Sequence, residues 1–337
     1  MRRTILSLVL TVLGAAAAAF EIEDRAVFGD ATSPEVLRIV SSADIAFFEP
    51  MILAYRDQNP QVTIDYTVAS SAEVMNAISG TDHVFDIAIS SAMDLQTKLA
   101  NDGLALAHTS AAAGRLPDWA KWNDMVFAFT QEPAAVVVSN DHFQNLTMPE
   151  NRSELISVLR QSPDAFAGRV GTYDVRQSGL GYLFATQDAR VSETYWRLTE
   201  VLGALDAKLF CCSSDMIDAV VSGELAVAYN VLGSYAANRS DADAFTIVYP
   251  SDFTAIMLRT ILIPTTSERP DLAKDFVDFV LDSSYRLDGA PILAVPELEP
   301  NVDATVNRIR MGPALLVYLD TFKKRSFLAE WENAILQ

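Results

Sequence analysis

The residues best suited to binding chemistry follow a short apolar run, Val170 to Tyr173, in the middle of the chain. Arg176, Ser178 and Gly179 come soon after this run, and an apolar helical pattern begins behind them. A strand that enters a Ser/Gly turn and then a helix directs free backbone N–H groups and the positive end of the helix dipole to one point. The arginine adds a charged fork and the serine a hydroxyl, which together predict an anion-binding turn. The alternative is an ordinary capped turn, with Arg176 paired to Asp174 or to a carboxylate on the opposite side of the site.

Other polar residues recur where predicted strands end. They are Ser41, Ser42 and Asp44 after one strand, Ser90, Ser91 and Asp94 after another, and Tyr229, Asn230 and Tyr235 in and beyond a third. Because ligands in open α/β sheets bind beyond the carboxyl ends of the strands, we expect these groups to share a site with the arginine turn. Hydroxyls, backbone N–H groups and one arginine suit a phosphate, phosphonate or carboxylate, while the tyrosines and the asparagine contact the organic part of the ligand. The alternatives are that Asp44 and Asp94 cap helices and that Tyr229 belongs to the core.

The sequence contains no catalytic or metal-binding signature. The three histidines, His83, His108 and His142, are far apart, and no CxxC, HExxH, nucleophile elbow or nucleotide loop occurs. We therefore expect no catalysis, no cofactor and no resident metal. The two cysteines, Cys211 and Cys212, are adjacent, which suits disulfide geometry poorly; we expect two buried small side chains, with a vicinal disulfide as the alternative.

The first 19 residues have the pattern of a cleaved secretory signal peptide. Arg2 and Arg3 precede an apolar run, Ile5 to Leu13, which ends in an Ala-x-Ala site before Phe20. The run is too short for a comfortable membrane anchor, so we expect a soluble protein in the periplasm. A formal net charge of −19 argues against binding to nucleic acid or to an anionic membrane.

Strands and helices alternate along most of the chain, which predicts parallel sheets with helices on their faces. The predicted strands are Leu37–Val40, Val62–Val68, Phe85–Ile89, Val170–Tyr173 and Leu225–Asn230. Two extended runs, residues 125–130 and 134–139, are separated by Gln131-Glu132-Pro133 and suggest a crossing between two lobes. A further extended run, residues 256–264, would return the chain to the first lobe, where Arg259 is a candidate hinge ion-pair partner.

Four passages resemble the extracellular solute-binding proteins of ABC importers, in the type 2 periplasmic binding protein-like class. They are EPMILAYRDQNPQVTIDY, FDIAISSAMDLQTKLANDGLA, FAGRVGTYDVRQSGLGYLF and ILIPTTSERPDLAKDFVDFVLDS, which lie between about residues 37 and 284. Their order and spacing are similar to the branch that binds ferric iron, hexose phosphates and phosphoglycerate. The resemblance implies an α/β protein with the two-lobe periplasmic binding protein-like II fold, in which each lobe is a mixed, mostly parallel sheet flanked by helices and two crossing strands join the lobes.

The resemblance also implies a division of the chain and a function. Lobe 1 would comprise residues 20–130 and 257–290, lobe 2 residues 131–256, and residues 291–337 would form helices that pack mainly on lobe 2. The protein would be a monomer that captures one small organic anion in the cleft and delivers it to a membrane permease. Two alternatives remain open: ferric iron as the ligand, although the tandem tyrosines of ferric-binding members are absent, and ligand sensing for a membrane histidine kinase.

Overall fold

The computed structural model describes residues 20–30, 32–80, 82–284, 292–293 and 306–337. The predicted signal peptide, residues 1–19, and most of the Pro-rich stretch at 291–300 lie outside the described residues. Among the residues that are described, no helix is long and apolar enough to cross a bilayer.

The strands of the described residues are numbered in chain order. They are β1 Asp24–Phe28, β2 Val36–Ser41, β3 Thr63–Val68, β4 Ile87–Ser90, β5 Lys121–Trp122, β6 Val126–Ser139, β7 Val170–Tyr173, β8 Lys208–Phe210, β9 Val227–Leu232, β10 Phe245–Val248, β11 Thr254–Leu262 and β12 Val306–Arg308.

The α-helices are numbered in the same way. They are α1 Ile45–Gln58, α2 Ser71–Ser79, α3 Met93–Asn101, α4 Ala111–Gly114, α5 Arg152–Gln161, α6 Pro163–Phe166, α7 Gly179–Val191, α8 Thr194–Ala204, α9 Ser213–Val221, α10 Gly233–Ala237, α11 Pro270–Ser284 and α12 Thr321–Ile335. Short 3-10 turns lie at Asp118–Ala120, Ala242–Ala244 and Pro313–Leu319.

The strands form one mixed sheet in the order β1-β3-β2-β4-β11-β6-β9-β7-β8. At one end β2 pairs in parallel with β3 and β4, and at the other β7 pairs in parallel with β8 and β9. We call β1–β4 with α1–α3 lobe 1, and β7–β9 with α5 and α7–α9 lobe 2. The antiparallel strands β6 and β11 lie between the two parallel sets. The predicted two-lobe α/β fold with crossing strands is therefore confirmed.

β6 is one continuous strand of 14 residues, so the predicted break at residues 131–133 is wrong. Its first part pairs with β11 as far as Pro133, and its second part pairs with β9 from Ala134 onward. Pro133 lies where the strand changes partner. Proline has no N–H to donate, and it is tolerated here because the missing hydrogen bond falls at the end of a paired run and not in its middle. The strand therefore joins the lobes without a turn.

Each lobe has its own apolar core, and a third cluster contains side chains of both lobes. In lobe 1, α1 packs Phe48, Met51 and Tyr55 inward at helical spacing. At the carboxyl end of the chain, α12 packs against α8 and places Trp331 in the core of lobe 2, while the 3-10 turn at Pro313–Leu319 contacts α3 of lobe 1.

Candidate ligand-binding cleft

A cavity of about 40 Å³ lies between the lobes, at the carboxyl ends of their parallel strands. Its lining is rich in hydroxyl groups and comes from both lobes. The lining residues are Glu23, Ser42, Asp44, Ala69, Ser70, Ser71 and Ser91 from lobe 1, and Tyr173, Ser178, Leu180, Cys211, Cys212, Ser213, Ser214, Leu232 and Tyr235 from the other side.

The two lobes touch each other around this cavity. The Asp44 N–H donates to Tyr235 Oη at 3.2 Å, and the Leu180 N–H donates to Ser71 Oγ at 3.1 Å. A Cβ on Gly179 would lie 2.8 Å from both the Leu95 side chain and Ser71 Oγ, so a larger residue here would force these side chains to move. The lobes are thus closed on a space for a few water molecules, whereas small-molecule sites usually measure roughly 300–1,000 Å³. A larger ligand requires the lobes to separate.

The paired serines divide into two roles. Ser42 Oγ lies 3.2 Å from Ser91 Oγ and accepts the Ser91 N–H at 3.0 Å, so these two hydroxyls meet on the cavity wall. Ser41 Oγ and Ser90 Oγ instead accept the backbone N–H two residues ahead, and neither residue lines the cavity. The structure therefore places Ser41 and Ser90 in the turns that orient their neighbours.

Four helices of at least nine residues begin at the cavity. Their N-cap residues, which all line it, are Asp44 of α1, Ser70 of α2, Ser178 of α7 and Cys212 of α9. Asp44 makes no side-chain cap bond, whereas Ser70 and Ser178 accept a backbone N–H of the first turn. Because each helix carries partial positive charge at this end, the four dipoles act together on one small volume.

Two phenols lie in the cavity wall. Tyr173 Oη hydrogen-bonds with Ser213 Oγ, which also accepts the Leu232 N–H. Tyr235 stacks on Phe47 with ring centroids 5.4 Å apart. Burial raises the pKa of both tyrosines, so each is a neutral phenol that can donate or accept a hydrogen bond.

Two carboxyl groups also face the cavity. Burial raises the pKa of Asp44, and Arg259 and a hydrogen bond from Ser214 oppose that rise. Burial raises the pKa of Glu23 as well, and the charges of Asp44 and Asp215 add to the effect. Carboxylates accept hydrogen bonds, so this part of the site suits a ligand hydroxyl or amine.

The crossing strands carry a fully buried ion pair behind the cavity. Arg259 of β11 donates to both oxygens of Glu132 on β6, at 2.8 and 3.0 Å, which agrees with the predicted hinge ion pair. Burial raises the pKa of Glu132, but the charge and hydrogen bonds of Arg259, together with hydrogen bonds from Ser234 and Thr130, lower the net pKa below its ordinary value. Arg259 Nη1 has no hydrogen-bond partner among the described residues, and the guanidinium lies 4.8 Å from the Phe47 ring and 5.8 Å from the Tyr235 ring.

Arg176 does not line the cavity. Its guanidinium donates to both oxygens of Asp174, at 2.8 and 2.6 Å, and lies 3.7 Å from Glu332 of α12 and 5.7 Å from the Trp331 ring centroid. The alternative predicted for Arg176, pairing with Asp174, is the arrangement that the structure has. The turn lies where the sequence indicates, but its arginine points toward the carboxyl-terminal helix.

Tyr229 and Asn230 belong to a buried network inside lobe 2. Tyr229 Oη donates to Asp188 at 2.8 Å and accepts from Arg152 Nε at 2.7 Å, and Asn230 Nδ2 donates to Asp188 at 2.9 Å. Asn230 is also the unpaired residue of a bulge in β9, with a left-handed φ of 64°. Neither side chain reaches the cavity, because their polar atoms already have partners inside the lobe.

The cysteines are not buried, contrary to expectation. Cys211 is exposed and Cys212 half-buried, and their sulfur atoms are 2.6 Å apart at the edge of the cavity. They end up there because they connect β8 to α9, at the carboxyl end of a parallel strand. The position of the two cysteines in this turn is the sequence feature that indicates their exposure.

Several lining residues were not predicted. Ser70 and Ser71 form a third serine pair after a strand, the same pattern as the other two, so sequence could have found them. Tyr173 ends β7, at the position where site residues are expected. Glu23 has no such signal, because it precedes β1 and reaches the cavity only through antiparallel pairing of β1 with β3.

Residues 40–286 match the family model of bacterial extracellular solute-binding proteins. No curated protein matches the chain. Among solved structures, the substrate binding protein of an ABC transporter from Agrobacterium tumefaciens is 30% identical, with a TM-score of 0.85 over 93% of this chain and 98% of that one.

Two more distant structures show the same fold. AfuA from Actinobacillus pleuropneumoniae, a periplasmic binding protein with fructose-6-phosphate bound, has a TM-score of 0.70 at 16% identity, over 90% of this chain and 99% of its own. Iron-bound HitA from Pseudomonas aeruginosa has a TM-score of 0.65 at 15% identity, over 89% and 99%.

Proposed function

We propose that this protein captures a small ligand for an importer, because the chain belongs to the family of bacterial extracellular solute-binding proteins. The ligand would enter the interlobe cavity while the lobes are apart and be enclosed when they close by hinge motion. The crossing strands β6 and β11 are the connection about which such a motion would occur. No chemical step is needed for this role.

The ligand is a small organic anion: a phosphate ester, a phosphonate or a carboxylate. The observation that carries this proposal is the convergence of four helix amino termini, from both lobes, on one hydroxyl-lined cavity. Helix amino termini and hydroxyl donors stabilise negative charge without a formal positive charge in the wall. Since the donors come from both lobes, an anion between them would favour the closed form.

The remaining groups define the other half of the ligand. Glu23 and Asp44 would repel a bare anion but would accept hydrogen bonds from hydroxyl or amino groups. An anion that carries such groups, for example a sugar phosphate, satisfies both parts of the cavity. Arg259 would contribute positive charge from behind Phe47 and Tyr235, and its unpartnered Nη1 is a donor available to a ligand that separates these rings.

We extend the proposal to the setting of the protein. The chain is exported to the periplasm with loss of residues 1–19, acts as a monomer, and docks in its closed form on an ABC permease. The predicted lobe limits, residues 20–130 with 257–290 and residues 131–256, describe the two moving bodies. Sensing for a histidine kinase uses the same ligand-binding step, and co-purification with a permease rather than a kinase distinguishes the two partners.

Ferric iron is the second candidate ligand. Two phenols and two carboxyl groups lie in the cavity wall, and hard ferric ion accepts both kinds of oxygen: Tyr173, Tyr235, Glu23 and Asp44. The anion is preferred because both phenol oxygens are engaged in hydrogen bonds, with Ser213 and with the Asp44 N–H, and burial raises their pKa values.

A thermal-shift screen tests the proposal. Purified, metal-free protein is heated with sugar phosphates, phosphoglycerates, phosphonates, dicarboxylates or ferric citrate, because a ligand that binds the native state raises the melting temperature by mass action. We expect one organic anion to give a saturable shift. A shift with ferric salts alone would overturn the anion proposal in favour of iron.

A further inference from the structure

Side chains typical of a thiophilic metal site meet at the edge of the interlobe cavity. Glu23, Cys211 and Cys212 each place one ligand atom there, and these atoms all lie within 4.8 Å of one another. Asp215, in the first turn of α9, lies beside them, with its carboxylate 3.5 Å from Cys211 Sγ. Two thiols and one carboxyl group meet in the structure, and Asp215 would complete a four-ligand zinc set by moving its carboxylate toward the other two residues.

Two sulfur–oxygen distances at this cluster are close to those of one shared cation. In a tetrahedral zinc site, metal–sulfur bonds of about 2.3 Å and metal–oxygen bonds of about 2.0–2.2 Å place neighbouring sulfur and oxygen ligands about 3.5 Å apart. Cys212 Sγ lies 3.9 Å from Glu23 Oε1, and Cys211 Sγ lies 3.5 Å from Asp215 Oδ2. The sulfurs, now 2.6 Å apart, would have to separate by about 1 Å, which the exposed Cys211 can do by side-chain rotation.

The ligands do not come from one element. Glu23 precedes β1 of lobe 1, whereas Cys211, Cys212 and Asp215 lie in the turn from β8 into α9 of lobe 2. We propose that these residues form a site for a soft divalent cation, Zn²⁺ or Cd²⁺, that joins the two lobes at the edge of the cleft. A cation bound there would hold the lobes together independently of the ligand in the cavity.

Cadmium titration of the full-length mature protein tests this site. The protein is first reduced with a phosphine and desalted, and a thiol-reactive dye confirms two free thiols. Cadmium–thiolate absorbance reports the sulfur ligands, and calorimetry with Zn²⁺ gives the affinity and stoichiometry. We expect one ion per chain, a saturable thiolate band, and at least a tenfold loss of affinity in Cys211→Ser and in Cys212→Ser.

The contribution from lobe 1 is tested by Glu23→Gln, with Glu21→Gln as the matched control. Both residues are exposed and lie two positions apart in the same segment, but only Glu23 belongs to the cluster with the sulfurs. We expect Glu23→Gln to keep the thiolate band while lowering affinity about tenfold, and Glu21→Gln to bind as the wild type does. Circular dichroism melts confirm that each variant is folded.

Lobe closure gives a second measurement that does not depend on affinity. Small-angle scattering of metal-free protein should show a decrease in radius of gyration on addition of Zn²⁺, and Glu23→Gln should abolish that decrease. The proposal is overturned if no thiolate band saturates near one equivalent, or if Glu23→Gln matches the wild type in both affinity and scattering. Neither result would affect the anion proposal, which is tested on metal-free protein.

Discussion

The interlobe cavity and the buried network of lobe 2 contain the same kinds of polar side chain in different states of hydrogen bonding. We define the lobe 2 network as Arg152, Asp188, Tyr229 and Asn230. In it, Arg152 donates to Tyr229 Oη and to the Phe253 carbonyl, the latter at 2.7 Å, and Tyr229 Oη donates to Asp188. The cation, the carboxylate and the phenol therefore use their hydrogen-bonding groups inside the lobe. In the cavity, hydroxyls and carboxyls face a small open space, and a hydroxyl that accepts one backbone N–H, such as that of Ser71 or Tyr235, still has its own O–H to donate.

This difference separates structural from ligand-binding residues where residue type does not. Tyr229 and Tyr235 are six positions apart, and both were predicted to contact ligand. Tyr229 Oη both accepts and donates within the network, whereas Tyr235 Oη accepts one backbone N–H across the cleft and lines the cavity. A buried polar group whose partners are all inside one lobe stabilises that lobe and has little left for a ligand.

The largest effect is expected from Arg152→Ala. The substitution leaves the fully buried Asp188 without its cation, and breaking a buried pair in this way costs about 3–5 kcal/mol. Urea denaturation should show this loss in the free energy of unfolding, while the ligand affinity of the folded protein stays within about twofold of the wild type. Arg160→Ala, an exposed residue of the same helix, should change the unfolding free energy by less than about 0.5 kcal/mol. A tenfold loss of affinity at unchanged stability in Arg152→Ala would contradict this division.

Asp94 is a buried polar group that belongs neither to the cavity lining nor to the lobe 2 network. Its burial predicts that the stability of the protein depends on pH. Burial raises its pKa from 3.8 to about 7, and its Oδ1 has no hydrogen-bond partner among the described residues. The native carboxyl therefore keeps its proton where the unfolded one has lost it, so this group's contribution to stability is lost as pH rises from about 4 to about 7. Asp94→Asn should remove that dependence and be more stable than the wild type above pH 7, by roughly 1–3 kcal/mol.

The measurement is the difference in unfolding free energy between Asp94→Asn and the wild type as a function of pH. The exposed Asp57→Asn serves as the control for the loss of one acidic group. A difference that does not change with pH for Asp94→Asn would mean that the native carboxyl titrates as it does in the unfolded chain.

The two tyrosines provide the most direct comparison of the regions. Tyr229→Phe removes hydrogen bonds to Asp188 and Arg152 and should lower stability by about 1–3 kcal/mol with ligand affinity unchanged. Tyr235→Phe should weaken ligand binding at least fivefold, about 1 kcal/mol, with a smaller loss of stability. Chemical denaturation and calorimetry with the anion identified in the screen measure both quantities. The reverse pattern would place the ligand on Tyr229.

The smallest effect is expected from Arg176→Ala. Its side chain is about one-third exposed, so loss of its pairs with Asp174 and Glu332 and of its contact with Trp331 should cost about 1 kcal/mol of stability. Ligand affinity should stay within twofold, because Arg176 does not line the cavity. A tenfold loss of affinity would restore the anion-binding role that the sequence suggested for this residue.

Local pattern predicted most of the elements. The predicted strands Leu37–Val40, Val62–Val68 and Val170–Tyr173 match β2, β3 and β7 to within one residue at each end, because they depend on residues next to each other in the chain. The predictions that were wrong depend on contacts with residues far away in the chain. The predicted break in β6 was wrong because β11 pairs with the strand as far as Pro133 and β9 pairs with it from Ala134, so the backbone stays extended where the partner changes.

The sequence by itself determined the two-lobe architecture, the family, and several of the turns that meet at the cavity, since strand-end position is encoded locally by apolar runs followed by serine, glycine and aspartate. Only the tertiary structure decided which side chains of those turns face the cavity. Arg176 was directed to α12 by Asp174 and Glu332, and Glu23 was brought to the cavity by strand pairing. The orientation of a charged side chain follows from the partners that compete for it, and those partners are set by packing of elements far apart in the chain.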